Sequence, residues 1–277
     1  GLTDGGAPEI WNVSQPDKIR TIYAAYAEAG AKIITTNTFG GSVARLKFHN
    51  VGDRTYELNR ASVELAREVA DKTGALVAGD IGPSGELIEP VGLLSMDEAV
   101  AMFAEQARGL IDGGCDFILV ETMSHLNEVE AAVNGVRKVA PDMYIAATMS
   151  FDTNYHTMMG VSPRDALEAL AGWGLTAIGA NCGKEPAEYV DIMRVMRRAL
   201  DDAGHDTFLW AKPNAGLPRL EGDAVTYDAT PETMGQIALQ LRDAGARIIG
   251  GCCGTTPEYI ESMAITLNNG STQLEAK

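Results

Sequence analysis

The segment RDAGARIIGGCCG (residues 242–254) contains the pattern that decides the fold: a helix end, a glycine stop, a short apolar run and then small polar residues. The same pattern occurs in AEAGAKIITTNTFG (27–40), IDGGCDFILVETMS (111–124) and AGWGLTAIGANCG (171–183). Such repeats predict βα units, and strands that are joined by crossover helices form a parallel sheet.

Amphipathic helices and short apolar runs alternate along the whole chain. The predicted helices cover residues 16–29, 54–73, 96–112, 126–138, 164–172, 186–203, 231–243 and 257–268. The predicted strands cover residues 31–39, 75–82, 115–123, 143–151, 175–182, 208–215 and 246–253. This series opens on a helix, so it predicts a (β/α)8 TIM barrel whose first strand, expected before Asp17, is missing from this chain through trimming or disorder. An open doubly wound sheet is the alternative, but no GxGxxG fingerprint follows any strand.

The barrel is expected to form a single domain over residues 1–268. The closing segment NNGSTQLEAK is polar and has no periodicity, so residues 269–277 are predicted to form a tail.

Composition excludes several classes of function. The 277 residues are 45% hydrophobic and 22% charged, which is typical of a globular chain. A net charge of -16 provides no basic surface for nucleic acid. No apolar stretch is long enough to cross a bilayer, and no signal segment opens the chain. Four cysteines are too few for a disulfide framework and fit a reducing compartment, so we expect a cytoplasmic location.

Three of the four cysteines lie at the carboxyl ends of predicted strands, where the chemistry of such barrels collects. Cys182, Cys252 and Cys253 therefore suggest a metal site, and zinc favours sulfur ligands with a fourth position open to water or substrate. Cys115 begins a strand and is most simply a small buried side chain. Buried cysteines beside a tight turn and a redox dithiol are the alternatives, although redox pairs usually take the C-x-x-C form.

Adjacent cysteines in a regular strand would point to opposite faces and could not share an ion. Gly250, Gly251 and Gly254 are expected to let the backbone leave the strand and turn, so that both sulfurs face inward.

Five blocks of the chain resemble signature blocks of the homocysteine S-methyltransferase family. They are APEIWN (7–12), TNTFGGS (36–42), GANCG (179–183), AKPNAGLP (211–218) and GGCCGTTPEYI (250–260). The resemblance spans the chain to about residue 268, and bacterial betaine–homocysteine methyltransferases are the most similar branch.

The resemblance implies a zinc-dependent enzyme that moves a methyl group from a small cationic donor, betaine or a sulfonium, to the thiol of L-homocysteine, giving methionine. By position, Cys182, Cys252 and Cys253 match the zinc ligands of the family, and Glu121 matches the glutamate that holds the substrate amino group. Asn214 matches an asparagine near the metal and is expected to contact the substrate. Trp11 matches a tryptophan on the donor side.

Asp80 and Asn37 lie at the same strand ends, where they are expected either to hold the substrate carboxylate or to shape the turn. Thr38, beside Asn37, is also expected to bind the substrate. No separate general base is assigned, because zinc itself removes a proton from a bound thiol.

The sequence departs from the family in two places. Gly40 and Thr122 stand where animal betaine enzymes have aromatic residues, which weakens a cation-binding cage. The Asp-Gly motif of the opening strand would lie before Gly1, so a chain that begins there is expected to bind homocysteine poorly. Two alternatives follow: a module that takes its methyl group from a methylcorrinoid (cobalamin) protein partner, and a non-catalytic barrel with structural zinc. Neither nucleic acid nor membrane is expected as a partner.

Overall fold

The computed structural model describes residues 5–222 and 224–272. The chain divides into two compact units. Unit 1 contains Gly1–Glu28 and Lys32–Ala146, and unit 2 contains Ala29–Ala31 and Ala147–Lys277. The single domain expected over residues 1–268 stays a prediction.

The helices and strands of the described residues are numbered in chain order. The α-helices are α1 (Trp11–Ser14), α2 (Pro16–Glu28), α3 (Val43–Lys47), α4 (Thr55–Thr73), α5 (Met96–Asp112), α6 (Leu126–Val139), α7 (Pro163–Ala171), α8 (Glu188–Ala203), α9 (Pro231–Asp243) and α10 (Pro257–Thr272). The β-strands are β1 (Ile33–Thr35), β2 (Leu76–Ile81), β3 (Phe117–Met123), β4 (Ile145–Met149), β5 (Ala177–Cys182), β6 (Phe208–Pro213), β7 (Pro218–Glu221), β8 (Ala224–Tyr227) and β9 (Ala246–Ile249). Short 3-10 turns cover Pro8–Ile10 and Gly52–Arg54.

All eight predicted helices and all seven predicted strands are present. Strand β1 is shorter than predicted because the chain turns at once after it, where the Thr38 amide donates to the Thr36 carbonyl (2.9 Å). Strand β9 ends at Ile249, before the two cysteines that the prediction had placed in it. Helix α10 continues to Thr272, into the segment predicted to be a tail, and residues 273–277 lie outside the described residues.

The sequence patterns did not predict an antiparallel hairpin and two short helices. Strands β7 and β8 pair from Pro218↔Tyr227 to Glu221↔Ala224. The hairpin has no apolar run of its own, so it lacks the signal that marks the other strands. The missed helices are α1 and α3, whose lengths of four and five residues are too short to show helical periodicity.

The parallel strands of unit 1 place their carboxyl ends at one edge. Strand β1 pairs with β2 (Ile33↔Leu76), and β2 pairs with β3 (Ala78↔Phe117). Helix α5 begins where the sequence predicts, because Ser95 and Glu98 form a capping box at its N-terminus.

The parallel strands of unit 2 are arranged in the same way. Strand β5 pairs with β6 (Ala177↔Phe208), and β6 pairs with β9 (Leu209↔Ala246) with a shift of register between Leu209 and Trp210. The residues that follow β5, β6 and β9 therefore meet at one edge.

The parallel α/β class predicted from the βα repeats is thus confirmed. Within the described residues, no helix combines the length and the apolar character that crossing a membrane requires.

Candidate metal centre

Three thiols meet at the carboxyl ends of the strands of unit 2. The Sγ atoms of Cys182, Cys252 and Cys253 all lie within 4.8 Å of one another. Among the described residues, this is the group of three side chains that could hold a metal ion. The Cys182 and Cys253 sulfurs are 3.8 Å apart. Zinc–sulfur bonds of about 2.3 Å at tetrahedral angles separate two sulfurs by about 3.8 Å. The donor set therefore fits a tetrahedral thiolate metal site.

The exposure of the cluster leaves one side open. All four cysteines are free, Cys182 and Cys252 are half-buried, and Cys253 is exposed. Cys115 differs from these three in its burial: it lies buried just before β3, where burial raises the pKa of its thiol to about 12. Cys115 is thus a small buried side chain, as predicted.

The backbone at Cys182 is left-handed, with a φ of 67°. Non-glycine residues rarely adopt this conformation, and it costs on the order of 1–3 kcal/mol. The next residue, Gly183, also has a positive φ of 77°, and a Cβ there would lie 2.5 Å from the Tyr189 hydroxyl. The chain therefore ends β5 in a strained turn that a side chain at position 183 would disrupt.

The loop with the two adjacent cysteines is held by backbone contacts to β6 and to the residues that follow it. The Cys252 amide donates to the Pro213 carbonyl (2.9 Å), and the Ala215 amide donates to the Cys253 carbonyl (2.9 Å). The Thr255 hydroxyl closes the turn on the Cys252 carbonyl (2.6 Å). Both sulfurs can join Cys182 because these contacts take the loop out of the strand.

The three glycines of this loop differ in what they contribute. Gly254 has a φ of 80°, and a Cβ there would lie 2.4 Å from the Tyr227 ring. A Cβ at Gly251 would lie 2.4 Å from the Thr255 side chain, whereas a Cβ at Gly250 would meet only Lys212 at an ordinary 3.5 Å. Conformational freedom is therefore needed at Gly254, and the absence of a Cβ is needed at Gly251.

Asn214 joins the two cysteine loops. Its Oδ1 accepts a hydrogen bond from the Cys253 amide (2.9 Å), and its Nδ2 donates to the Gly183 carbonyl (2.6 Å). The contact with the substrate that was expected of Asn214 stays a prediction.

Burial and mutual contact favour the protonated thiols of Cys182 and Cys252. Hydrogen bonds with Cys252 and Cys253, together with burial, raise the pKa of Cys182. The hydrogen bond with Cys182 and the Lys212 charge lower the pKa of Cys252, whereas the hydrogen bond with Cys253 and burial raise it. The net shift of the Cys252 pKa is upward. A bound cation would favour the thiolates, as metals do with coordinating thiols.

The other predicted site residues belong to unit 1. Glu121 lies in β3 and is 6% exposed, and Thr122 after it has a φ of 62°. A β-branched residue in this conformation is a backbone outlier. Such strain beside a candidate substrate ligand is a feature that the sequence did not indicate.

Asn37 and Thr38 form a hydrogen-bonded turn after β1. The Asn37 amide donates to the Tyr23 hydroxyl (2.7 Å) and to the Ser62 Oγ (2.9 Å). The buried Thr38 hydroxyl donates to the Asp80 carbonyl (2.7 Å). These contacts shape the turn, and the substrate binding expected of Asn37 and Thr38 stays a prediction.

Trp11 and Glu9, near the N-terminus of unit 1, each contact a polar group. The Lys18 ammonium lies 4.7 Å from the centroid of the Trp11 ring, at cation–π distance. The buried carboxylate of Glu9 accepts a hydrogen bond from the Gly40 amide (2.7 Å). The sequence did not predict this contact, because it joins residues that lie 31 positions apart.

Together these features define a parallel α/β protein with a cluster of three thiols that could hold a metal ion. The family model for homocysteine S-methyltransferase matches residues 3–267. The chain belongs to this family, as its signature blocks predicted.

Two curated relatives are methionine synthases. The chain is 33% identical over 275 residues to that of Mycobacterium tuberculosis (strain ATCC 25618 / H37Rv), which covers 95% of this chain and 22% of the relative. The chain is 32% identical over 270 residues to the methionine synthase of Mycobacterium leprae (strain TN), and the match covers 94% of this chain and 22% of the relative. The chain therefore spans about a fifth of the length of these relatives.

Solved structures of the homocysteine methyltransferase MmuM from Escherichia coli have a similar fold. The oxidized form is 25% identical with a TM-score of 0.76, over 96% of this chain and 89% of that chain. The metallated form is 24% identical with a TM-score of 0.77, over 96% and 90%.

Proposed function

We propose that this chain is a zinc-dependent enzyme that transfers a methyl group to the thiol of L-homocysteine and releases methionine. The observation that carries the proposal is the cluster of Cys182, Cys252 and Cys253, whose sulfur spacing suits zinc. Three protein ligands leave a fourth position for the substrate thiol. Family membership and the metallated form of MmuM support this assignment.

Each part of the site has a role in this scheme. Zinc, when bound, supplies the charge that keeps the substrate thiol deprotonated and nucleophilic at neutral pH. Asn214 holds the two cysteine loops in place through its bonds to Cys253 and Gly183. The Glu121 carboxylate would bind the substrate ammonium group.

The transfer is a single in-line displacement. The homocysteine sulfur forms a bond to the methyl carbon as the bond from that carbon to its leaving group breaks, and the leaving group keeps the electron pair. A cationic donor such as betaine or a sulfonium loses its charge in this step, so a pocket of low polarity favours it.

A methylcorrinoid protein is the second candidate donor. The methionine synthase relatives are several times longer than this chain, and they support this donor as much as they support betaine. The Lys18 ammonium over the Trp11 ring also argues for it, since one face of the expected donor-side aromatic already carries a cation. A cytoplasmic location belongs to the proposal, because the free thiols need reducing conditions.

Metal retention tests the site. Cys252→Ser should lose both bound zinc and methionine formation, because it removes one of the three thiolates. Cys115→Ser is the matched control, since Cys115 lies in unit 1 and outside the cluster. If Cys252→Ser kept its zinc and its turnover, the assignment would be wrong.

Methionine formation by the zinc-loaded protein distinguishes the donors. Homocysteine is supplied with glycine betaine, with a methylsulfonium compound or with methylcobalamin, and the productive combination identifies the donor class. Release of a proton when homocysteine is added to the zinc-loaded protein indicates an open metal position. No proton release and no turnover with any donor would favour a structural zinc instead.

A further inference from the structure

The side chain of Asn181 contacts the metal centre without being one of its ligands. Asn181 precedes Cys182 in β5 and is fully buried. Its Nδ2 donates a hydrogen bond to the Cys252 sulfur at 3.7 Å. The cysteine that it contacts is thus not its neighbour in sequence but the one that arrives from the loop after β9.

A second buried side chain holds the Asn181 amide in place. The Thr148 hydroxyl, at the end of β4, donates to the Asn181 Oδ1 at 2.6 Å, and Thr148 is also fully buried. The Tyr189 hydroxyl donates to the Asn181 backbone carbonyl (2.7 Å). Both ends of the amide therefore have defined partners.

The orientation of the amide follows from the chemistry of its partners. With a metal bound, the Cys252 sulfur is a thiolate, which carries no proton and can only accept, so the NH2 end of the amide must face Cys252. The carbonyl end then faces Thr148, whose hydroxyl must donate to it. The chain Thr148–Asn181–Cys252 therefore presents one oriented N–H donor to one sulfur of the cluster.

We propose that Asn181, oriented by Thr148, is a positioning residue of the metal centre, whose N–H···S bond fixes the Cys252 sulfur and withdraws electron density from it. The inference rests on the proposed function, since it assumes that the cluster binds a metal. Partners that orient metal ligands in this way commonly change metal affinity by about 10–100-fold when they are removed.

Cobalt(II) is the probe, because its sulfur-to-metal charge-transfer absorption reports on the sulfur itself. The dissociation constant is measured by competition with a chelator for the wild-type chain and for Asn181→Ala, Thr148→Val and Thr148→Ser. We expect Asn181→Ala to bind Co²⁺ about 10–100-fold more weakly. Its charge-transfer band should move to longer wavelength, because a sulfur that has lost a hydrogen bond gives up an electron more easily.

The threonine variants test the Thr148–Asn181 relay, which is the hydrogen-bonded chain from Thr148 through Asn181 to Cys252. Thr148→Val should show the same changes as Asn181→Ala to a smaller extent, and Thr148→Ser should restore wild-type behaviour because it keeps the hydroxyl. Thr55→Val is the matched control: this buried threonine of unit 1 donates to the Gly52 carbonyl (2.9 Å), so its loss affects stability alone.

The outcomes separate the two hypotheses. If wild-type protein binds Co²⁺ and the Asn181 and Thr148 variants match it in affinity and absorption, the positioning role is refuted while the metal site stands. The positioning role is also refuted if Thr55→Val weakens binding as much as Thr148→Val does. If the wild-type chain itself binds no Co²⁺ or Zn²⁺, both the proposed function and this inference are overturned.

Discussion

Replacing Gly254 by alanine should both destabilise unit 2 and weaken metal binding. Gly254 directly follows the two adjacent cysteines and has a φ of 80°. The new Cβ would lie 2.4 Å from the Tyr227 ring, and contacts under 3.0 Å require a movement of one partner. Because Tyr227 is held in β8 of the hairpin, we expect the cysteine loop to be displaced.

The expected loss of stability has two parts. A left-handed conformation costs a residue with a Cβ about 1–2 kcal/mol. Forcing an extra carbon into a packed contact costs about 1–3 kcal/mol more. The sum is about 2–5 kcal/mol, which is a large share of the stability of an ordinary domain.

Gly204→Ala separates these two parts. Gly204 ends α8 with a φ of 67°, and a Cβ there would meet nothing within 4 Å. This control has the conformational cost without the clash, so it should lose about 1–2 kcal/mol and keep its metal affinity.

Urea denaturation gives the stability of each variant, and chelator competition gives its zinc affinity. Adding Tyr227→Ala to Gly254→Ala should recover the part of the loss that is due to the clash, as a double-mutant cycle reports. If Gly254→Ala were no less stable than Gly204→Ala and bound zinc like the wild-type chain, this explanation of the glycine would be refuted.

Two further predictions concern polar contacts of unit 1. Burial raises the pKa of Glu128, although the Ser84 amide and hydroxyl donate to its carboxylate (2.9 and 2.6 Å). A raised folded-state pKa means that the folded chain holds the proton more tightly, so this stabilisation is complete below the unfolded value and is lost as pH rises through the folded value. The free energy of unfolding, measured by urea denaturation at a series of pH values, should therefore fall less for Glu128→Gln than for the wild-type chain as pH rises from about 4.5. An equal dependence on pH in the two chains would contradict this. Tyr23→Phe should lose about 0.5–1.5 kcal/mol, because it removes one of the two hydrogen bonds that the part-buried Asn37 amide donates, while the bond to the Ser62 Oγ remains. Tyr56→Phe, which removes an exposed bond to Asp112, is its control and should change the urea midpoint little.

The sequence predicts helices and strands well where their signals are local. Helix α5 begins and ends at the predicted residues, because its capping box and its apolar stripe are both formed by neighbouring positions. Strand β9 was predicted too long for the opposite reason, because its end is set by backbone bonds to another segment, such as that from the Cys252 amide to the Pro213 carbonyl. Strand β1 was predicted too long because a tight turn between Thr36 and Thr38 follows it, which the apolar pattern did not indicate.

The residues of the candidate site also differ in whether local sequence signals predict them. The three cysteines could be predicted, because each follows an apolar strand and thiols have a distinct metal chemistry. The Thr148–Asn181 relay could not, because its residues lie 33 positions apart and meet only through the packing of the folded chain. Neither residue type is unusual in a strand end, so composition carries no signal of their contact.

Polar contacts on both sides of Cys182 hold its left-handed backbone in place. A strained non-glycine residue persists only when its surroundings hold it in place. Here the Tyr189 hydroxyl fixes the carbonyl before it, and the Asn214 amide fixes the carbonyl after it. The same Asn214 side chain binds the Cys253 amide, so one amide group sets the positions of two of the three cysteines. The sulfurs are therefore held close together by the polypeptide itself, and a metal that binds them does not have to assemble the site.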